Sequence, residues 1–245
     1  MNYPRYSISG KGSVYLSGDP GKRVEKAKKI LMVLSEVINP EECAALDIGT
    51  GYGIVASELS KFFKSVTSID IADERLQKDG FDFKVYGGTQ IPFADASFDV
   101  VIANHVIEHV PDQHMTLNEI CRVLKPGGVC YVAVPNRWAL IEPHFGVPLL
   151  AWFPQKFASA ILKLLGKGDF FDVRSYGAKG YQKLLSGKFM VQDITMEIVQ
   201  KWGVFTGSSG FPASVIKYIP EPLLGLMLVF SPTYIFILRR AGGQR

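Results

Sequence analysis

Three glycines that follow an acidic residue form the segment with the clearest chemical meaning in this 245-residue chain. Asp47 precedes Gly49, Gly51 and Gly53, which are spaced two residues apart. Because glycine has no Cβ and readily adopts left-handed backbone dihedrals, a ligand can lie directly against such a loop. Apolar residues precede the loop, and residues 54–59 place apolar side chains at helical spacing. The pattern predicts a strand, a nucleotide-binding loop and a helix.

The glycine spacing disfavours one class of nucleotide, the dinucleotides. Their fingerprint is G-x-G-x-x-G, whereas the third glycine here falls one position early, at Gly53. NAD and FAD are therefore disfavoured as cofactors. A predicted strand at residues 65–69 leads to Asp70, which lies 21 residues after Gly49. A carboxylate at about 20 residues past such a loop can accept hydrogen bonds from both ribose hydroxyls.

Three later segments follow in order along the chain. Residues 90–102 read QIPFADASFDVVI, residues 105–112 read HVIEHVPD, and residues 119–128 read EICRVLKPGG. Together with the D-x-G-x-G-x-G loop and Asp70, they resemble the class I S-adenosylmethionine (SAM)-dependent methyltransferases. The resemblance is to the broad subgroup that contains the ubiquinone and menaquinone methyltransferases, and it covers residues 42–136.

The resemblance implies an α/β fold of the Rossmann-like type. We expect a mostly parallel seven-stranded sheet of order 3-2-1-4-5-7-6, with helices on both faces and an inserted cap after strand 5. Length and composition fit one domain with an insertion, since 47% of the residues are hydrophobic and 20% are charged. We divide the chain into a basic helical segment at 1–40, a SAM-binding core at 41–135, a cap at 136–175, and the rest of the sheet at 176–245.

SAM is the cofactor that the resemblance implies, and it assigns roles to matching positions. The glycines would line the methionine and ribose side, Asp47 would fix the loop or meet the amino group, and Asp70 would bind the ribose. Ile71 would pack on adenine. This chain departs from many relatives at residues 87–89, where it lacks an acidic residue for the adenine amino group. The implied cofactor-binding residues are Asp47, Gly49, Gly51, Gly53, Asp70, Ile71, Thr89, Gln90 and Asn104.

The methyl acceptor is expected to be a small or lipid-like molecule. A general base is needed only if a hydroxyl or a carbon acid is methylated, and the candidates are His109, His144 and Glu142. A structural role is the alternative for each of them, and for His109 we expect a hydrogen-bonded residue at a helix start. Two other functions stay open: a catalytically silent SAM-binding partner subunit, and another SAM-fold transfer such as aminopropyl transfer.

A competing metal chemistry is contained in the same segment. His105, Glu108 and His109 satisfy the pattern H-x-x-E-H, an inverted zinc-protease signature. Such a site would need a helix that directs both histidines toward the metal, and a third ligand further along the chain. The pentapeptide instead begins where a predicted strand ends, inside a segment that the methyltransferase resemblance already explains. We therefore predict no metal site.

The cap predicted at residues 136–175 is rich in proline and aromatic residues. Residues just beyond the carboxyl end of a strand lie where open α/β sheets bind ligands. The helical spacing of apolar residues at 152–165 fits either a helix packed on its own domain or a cap over an apolar substrate or membrane surface. A strand is predicted near residues 189–199. The uncharged segment 222–238 is too short and too broken to span a membrane, and is predicted as a helix at 223–230 and a strand at 233–238.

The net charge of +4 arises in the first forty residues. A lysine-rich outer face on an ordinary helix explains this charge, and contact with anionic lipid is the alternative. A nucleic-acid partner is not expected, because no basic stripe with interleaved aromatic residues is present. Three cysteines without a C-x-x-C pair indicate a reduced, cytoplasmic setting. Peripheral membrane contact and the oligomeric state stay open.

Overall fold

The carboxyl ends of four parallel strands define the edge of the sheet on which the glycine loop lies. The structure, a computed structural model, describes residues 19–202 and 218–240, with the side chains of residues 201 and 202 excepted. Its seven strands follow the order β3-β2-β1-β4-β5-β7-β6, as predicted. The strands are β1 (Ala44–Ile48), β2 (Ser65–Asp70), β3 (Asp82–Val85), β4 (Phe98–Asn104), β5 (Leu124–Pro135), β6 (Phe189–Asp193) and β7 (Thr233–Arg240).

The register of the sheet brings distant segments to one edge. Ile48 pairs with Ile69 of β2 and with Ala103 of β4, and Asn104 pairs with Ala133 of β5, all in parallel. The strand β7 is antiparallel to both β5 and β6. The residues that follow β1, β2, β4 and β5 therefore meet at a shared edge, which is where open α/β sheets bind ligands.

Helices cover both faces of the sheet and bury a separate apolar cluster on each. The described helices are α1 (Pro20–Ser35), α2 (Ile54–Leu59), α3 (Gln113–Val123), α4 (Gln155–Leu164), α5 (Ala178–Leu185), α6 (Thr195–Trp202) and α7 (Glu221–Leu228). On one face α1 and α2 pack against the sheet through residues such as Ile30 and Leu59. On the other face α3 and α5 do so through Ile120 and Tyr181. The central strands are buried on both faces, which explains their continuous apolar sequences.

The insertion after β5 has an apolar cluster of its own. Its members come from residues 145–173 and are Phe145, Val147, Leu150, Ala151, Ala158, Leu162, Phe171 and Val173. Two isolated bridges, Asn136 with Tyr176 and Ile141 with Pro148, lie near its ends. The division of the chain at residues 136 and 175 stays a prediction, and this cluster supports it.

Two sequence predictions about local structure need correction. The strand predicted near residues 189–199 ends at Asp193, and residues from Thr195 onward are helical. His109 does not start a helix, because α3 begins at Gln113 with Asp112 as its N-cap. The predicted helix and strand within residues 222–238 are confirmed as α7 and β7. Within the described residues, no helix is both long and apolar enough to cross a bilayer.

The predicted basic helical segment is described in part. Residues 1–18, which include Arg5 and Lys11, lie outside the described residues. The helix α1 begins at Pro20, and the Asp19 side chain caps it by accepting a hydrogen bond from the Gly21 N–H. Its apolar side packs against the sheet, so the lysines of α1 lie on the remaining faces.

Candidate functional site

The loop between β1 and α2 holds its glycines in backbone conformations that suit few other residues. The φ angles are 86° at Gly49 and 80° at Gly53. A Cβ on Gly53 would lie 2.1 Å from the carbonyl oxygen of Gln77, and one on Gly49 would lie 2.7 Å from Val106 Cγ2. Backbone conformation and space thus both require glycine here. The close approach of Gly49 to Val106 also shows that the loop lies against the segment that follows β4.

Asp47 is connected to the glycine loop through hydrogen-bonding side chains. It is buried in β1, and its Oδ2 accepts a hydrogen bond of 2.8 Å from Ser68 Oγ. Ser68 Oγ also lies 2.5 Å from Thr50 Oγ1, so the contacts continue into the loop. Burial raises the pKa of the Asp47 carboxyl to about 7, and the hydrogen bond from Ser68 opposes this rise only in part. Of the two roles expected for Asp47, these contacts support the fixing of the loop.

Asp70 connects the end of β2 to the glycine loop. Its Oδ2 accepts a hydrogen bond of 2.8 Å from the Gly51 N–H, and its Oδ1 accepts one of 2.7 Å from the Ile71 N–H. Each carboxylate oxygen still has a lone pair available, so ribose hydroxyls can donate to the same group. The Ile71 side chain is 52% exposed and is free to pack against a base. This geometry fits the ribose and adenine roles predicted for the two residues.

The segment after β3 lies beside Ile71. A Cβ on Gly88 would come within 3.2 Å of Ile71 Cγ2. Thr89 and Gln90 follow directly, and the Gln90 side chain is exposed. These residues are near the position expected for adenine, while their role in binding its amino group stays a prediction.

The end of β4 carries a strained residue. Asn104 closes the strand, and His105 adopts a left-handed backbone with φ of 58° while its N–H donates to the Ala133 carbonyl at 2.9 Å. A non-glycine residue in this conformation costs about 1–3 kcal/mol, and such strain is concentrated at functional sites. The turn that follows positions a cluster of histidines and carboxylates beside the edge of the sheet.

This histidine–carboxylate cluster consists of His105, Glu108, His109, Glu142, His144 and Asp172. Two members come from opposite ends of the insertion and meet the turn after β4. His144 Nε2 lies 3.3 Å from Glu108 Oε1, and His109 Nδ1 lies 3.2 Å from Asp172 Oδ2. The insertion is thus joined to the turn by polar contacts at two points.

The three residues predicted as general bases lie together in the cluster. The Nε2 atoms of His109 and His144 are 3.3 Å apart, and His144 Nδ1 is 2.7 Å from Glu142 Oε1. Glu142 is fully buried, and its Oε2 accepts hydrogen bonds from the backbone N–H groups of His144 and Phe145 at 2.8 and 2.7 Å. These contacts suit Glu142 to holding His144 in place.

Glu108 is one of the three members of the cluster that were not predicted as site residues. It is fully buried, and its ion-pair partners within the described residues are His105, His109 and His144. His105 and Asp172 were missed as well. The H-x-x-E-H pattern was the signal that could have identified Glu108, whereas nothing local in the sequence marks Asp172.

Burial and mutual contact shift the pKa values of the cluster in different directions. Burial lowers the pKa of His105 to about 4, against the opposing effect of Glu108. Burial alone would lower the pKa of His144, but hydrogen bonds to Glu108 and Glu142 raise it to about 9. Burial alone would raise the pKa of Glu108, but its contacts with His105 and His144 hold it well below the usual range. Glu108 is therefore an anion buried among imidazoles.

Comparison with known proteins connects this geometry to a family. Residues 46–132 match the family model described as a methyltransferase domain. The chain is 30% identical over 135 residues to a ubiquinone/menaquinone biosynthesis C-methyltransferase of Desulfotalea psychrophila, covering 48% of this chain and 55% of the relative. It is 35% identical over 128 residues to a ubiquinone biosynthesis O-methyltransferase of Paramagnetospirillum magneticum, covering 47% and 51%.

Solved structures agree on the fold across most of the chain. A chain in the complex between the Haloferax volcanii Trm112 methyltransferase activator and a methyltransferase aligns with a TM-score of 0.58 at 17% identity, covering 92% of this chain and 95% of that one. The SAM-dependent methyltransferase of Mesorhizobium loti aligns with a TM-score of 0.57 at 14% identity, covering 89% and 100%. At these identities the likeness shows the fold.

The sheet order is that of a Rossmann-like domain, with the glycine loop and Asp70 at the carboxyl ends of its parallel strands. Residues 46–132 form a methyltransferase domain of the class I SAM-dependent type, and SAM is the cofactor of that class. The chain spans about half the length of the curated relatives it matches. Their activities therefore do not extend to the whole protein by likeness alone.

Proposed function

We propose that the protein transfers a methyl group from SAM to a small or lipid-like acceptor. The main support for SAM as the methyl donor is the hydrogen bond from the Gly51 N–H to Asp70. It joins the carboxylate proposed to bind the ribose to the glycine loop. A SAM molecule bound there supplies a sulfonium methyl group that is already activated for transfer. The task of the protein is then to position the acceptor, an effect worth up to about 7–11 kcal/mol in well-oriented systems.

Each predicted cofactor contact becomes a specific part of this proposal. Asp70 accepts from the ribose hydroxyls, Ile71 packs on adenine, and the glycines allow close approach to the main chain. Thr89 or Gln90 meets the adenine amino group. Asn104, at the end of β4, faces the methionine portion.

The histidine–carboxylate cluster is proposed to take a proton when the acceptor is a hydroxyl or a carbon acid. His109 is the proton-accepting residue, because its side chain retains 20% exposure. His144, whose pKa is raised to about 9 and which therefore already carries its proton, lies with its Nε2 3.3 Å from His109 Nε2 and helps to orient that ring. Glu142 acts as a positioning residue, since its carboxylate is occupied by His144 and by two backbone N–H groups. A neutral amine acceptor would not need this machinery.

The insertion supports an apolar acceptor. Its helix α4 buries Ala158 and Leu162 but exposes Phe157 and Leu164, at 65% and 86%. The same stretch carries lysines at 156, 163 and 167. An amphipathic helix with lysines beside exposed apolar side chains is suited to an anionic lipid surface. Peripheral membrane contact through α4 is therefore part of the proposal.

A cleft within the insertion adjoins the cluster. It has a volume of about 230 Å³ and is lined in part by Arg137, Phe153, Tyr176 and Arg174. The Arg174 N–H donates to the Glu108 carbonyl at 2.9 Å, which connects the wall of the cleft to the turn that carries the histidines. An acceptor that enters here would meet the aromatic residues Phe153 and Tyr176 together with Arg137 and Arg174.

The transfer reaction is tested by measuring S-adenosylhomocysteine formed from SAM with a panel of hydroxylated aromatic acceptors, with and without an isoprenoid tail. We expect turnover with at least one acceptor, and loss of turnover in Asp70→Ala. SAM binding without any turnover across the panel would favour the catalytically silent subunit. The absence of SAM binding would reject both functions.

The membrane contact is tested by cosedimentation with anionic vesicles. We expect Phe157→Ser to reduce binding to the vesicles. The matched control is Phe62→Ser, because Phe62 is 48% exposed and lies just before the amino end of β2, which starts at Ser65, away from the site edge. Equal sedimentation of both variants and the wild-type protein would contradict the proposed contact.

A further inference from the structure

We propose that His105, Glu108 and His144 bind a divalent first-row transition-metal ion such as Zn²⁺, with His109 in the adjoining position. One nitrogen or oxygen atom from each of the three residues lies within 4.8 Å of the others. His105 and Glu108 come from the turn after β4, whereas His144 comes from the insertion. A bound ion would therefore connect the insertion to the SAM-binding core.

The distances between the donor atoms fit a shared ion. Metal–nitrogen and metal–oxygen bonds of about 2.0–2.1 Å place neighbouring ligand atoms of a tetrahedral site about 3.4 Å apart. Glu108 Oε1 lies 3.0 Å from His105 Nδ1 and 3.3 Å from His144 Nε2. His109 Nε2 lies 3.3 Å from His144 Nε2 and 4.0 Å from Glu108 Oε1. These separations are close to those of atoms that surround one cation.

The orientation of two rings supports the same conclusion. His144 Nδ1 faces Glu142 Oε1 at 2.7 Å, and His109 Nδ1 faces Asp172 Oδ2 at 3.2 Å. Because a carboxylate accepts hydrogen bonds, it holds a ring hydrogen on Nδ1, so Nε2 is the atom that can bind a cation in place of a proton. The two Nε2 atoms nevertheless face each other, which requires a shared proton or a cation between them. Histidine ligands of metals almost always have such a carboxylate or carbonyl partner on the other ring nitrogen.

Glu108 supplies an independent observation. Its side chain is fully buried, yet its Oε2 has no hydrogen-bond partner within the described residues. A buried carboxylate oxygen without a partner carries a large desolvation cost, so a ligand for it is expected. Coordination of a cation through both carboxylate oxygens would satisfy Oε2 as well as Oε1, whereas a proton shared between His109 and His144 would leave Oε2 unsatisfied.

The donor set selects the class of metal. Two imidazoles and one carboxylate suit Zn²⁺ and its first-row neighbours, whereas Mg²⁺ and Ca²⁺ prefer oxygen ligands. The sequence alone could not place His144 beside Glu108, which is why we predicted no metal site there. The inference does not rest on the proposed methyl transfer, since metal binding is measured without SAM or acceptor.

The test is a titration of tag-free, chelator-treated protein with Co²⁺, a coloured substitute for Zn²⁺, followed by competition with Zn²⁺. We expect visible absorption that saturates at one equivalent, is displaced by Zn²⁺ and is unaffected by Mg²⁺. His144→Ala should lose this absorption. His114→Ala is the matched control, because His114 is the remaining histidine and lies exposed on α3. Circular dichroism of each variant checks that it is folded.

A milder variant tests the second carboxylate. In Glu142→Gln the side-chain oxygen can still accept from the backbone N–H groups, while the amide N–H turns toward His144 Nδ1. This moves the ring hydrogen to Nε2 and blocks the proposed ligand atom, so we expect metal affinity to fall about 10–100-fold. The proposal is overturned if the wild-type protein shows no saturable Co²⁺ binding, or if His144→Ala and His114→Ala bind it equally.

Discussion

The buried carboxyl of Asp47, next to the glycine loop, should make the stability of the fold depend on pH. Burial raises its pKa from 3.8 to about 7 in the folded protein. The folded state therefore holds a proton that the unfolded state releases between these values, and stability falls as the pH rises through this window. The difference is about three pKa units, which corresponds to about 4 kcal/mol at 1.36 kcal/mol per unit.

Asp47→Asn replaces this carboxyl with a neutral group of the same shape. The asparagine does not titrate, so the variant does not lose stability as the pH rises past these values. The free energy of unfolding of the variant, relative to that of the wild-type protein, should therefore increase by about 2.5 kcal/mol between about pH 5 and about pH 8. The growth should stop above the folded pKa, where Asp47 is ionised in both states. Urea denaturation at a series of pH values measures the free energy of unfolding of both proteins.

The matched control for this prediction is Asp82→Asn. Asp82 is exposed at the start of the edge strand β3, so the same substitution should leave the pH dependence unchanged. If the free energies of unfolding of Asp47→Asn and of the wild-type protein change equally from pH 5 to pH 8, burial does not raise the pKa of Asp47 as stated.

Two further predictions concern how the core holds the loop and the segment before β4. Gly53→Ala should lower the free energy of unfolding by about 2–5 kcal/mol, because its Cβ would meet the Gln77 carbonyl in a left-handed backbone; an unchanged urea midpoint would contradict this. Arg122→Met should cost about 2 kcal/mol in the same assay, since Arg122 pairs with Glu119 and donates to the Ile91 and Phe93 carbonyls. A loss below about 0.5 kcal/mol would show that these bonds are replaced by water.

The architecture was predictable because its determinants are local. Buried parallel strands read as continuous apolar runs, and the glycines before α2 are required by backbone conformation. The resemblance then supplied the strand order, which the structure confirms. The place of Asp70 at the end of β2 could be predicted from the apolar run before it, and its contact with Gly51 follows from the pairing of β1 with β2, while its role in binding ribose stays a prediction.

The end of β6 was mispredicted because two local signals compete. Residues 194–199 include isoleucine and valine, which favour strands. The competing signal is Asp193, whose Oδ1 accepts a hydrogen bond from the Thr195 N–H at 2.9 Å at the start of α6. An acidic residue just before a helix is a start signal. The apolar side chains of Ile198 and Val199 are buried by the helix instead.

The histidine–carboxylate cluster could be predicted only in part. His109 and Asp172 are 63 residues apart, and their contact depends on how the insertion folds back onto the turn after β4. Periodicity describes single elements and carries no information on such long-range packing. His144 was assigned to the substrate side from its place after β5, but its pairing with Glu108 needed the structure.

The central claim is that the glycine loop and Asp70 bind SAM. Isothermal titration of the wild-type protein with SAM and with S-adenosylhomocysteine tests it most directly. We expect one saturable site for each ligand, and binding about 10–100-fold weaker in a folded Asp70→Asn variant, because charge-assisted hydrogen bonds contribute about 1.5–3 kcal/mol. No heat of binding at millimolar SAM, or equal affinity in Asp70→Asn, would contradict the claim.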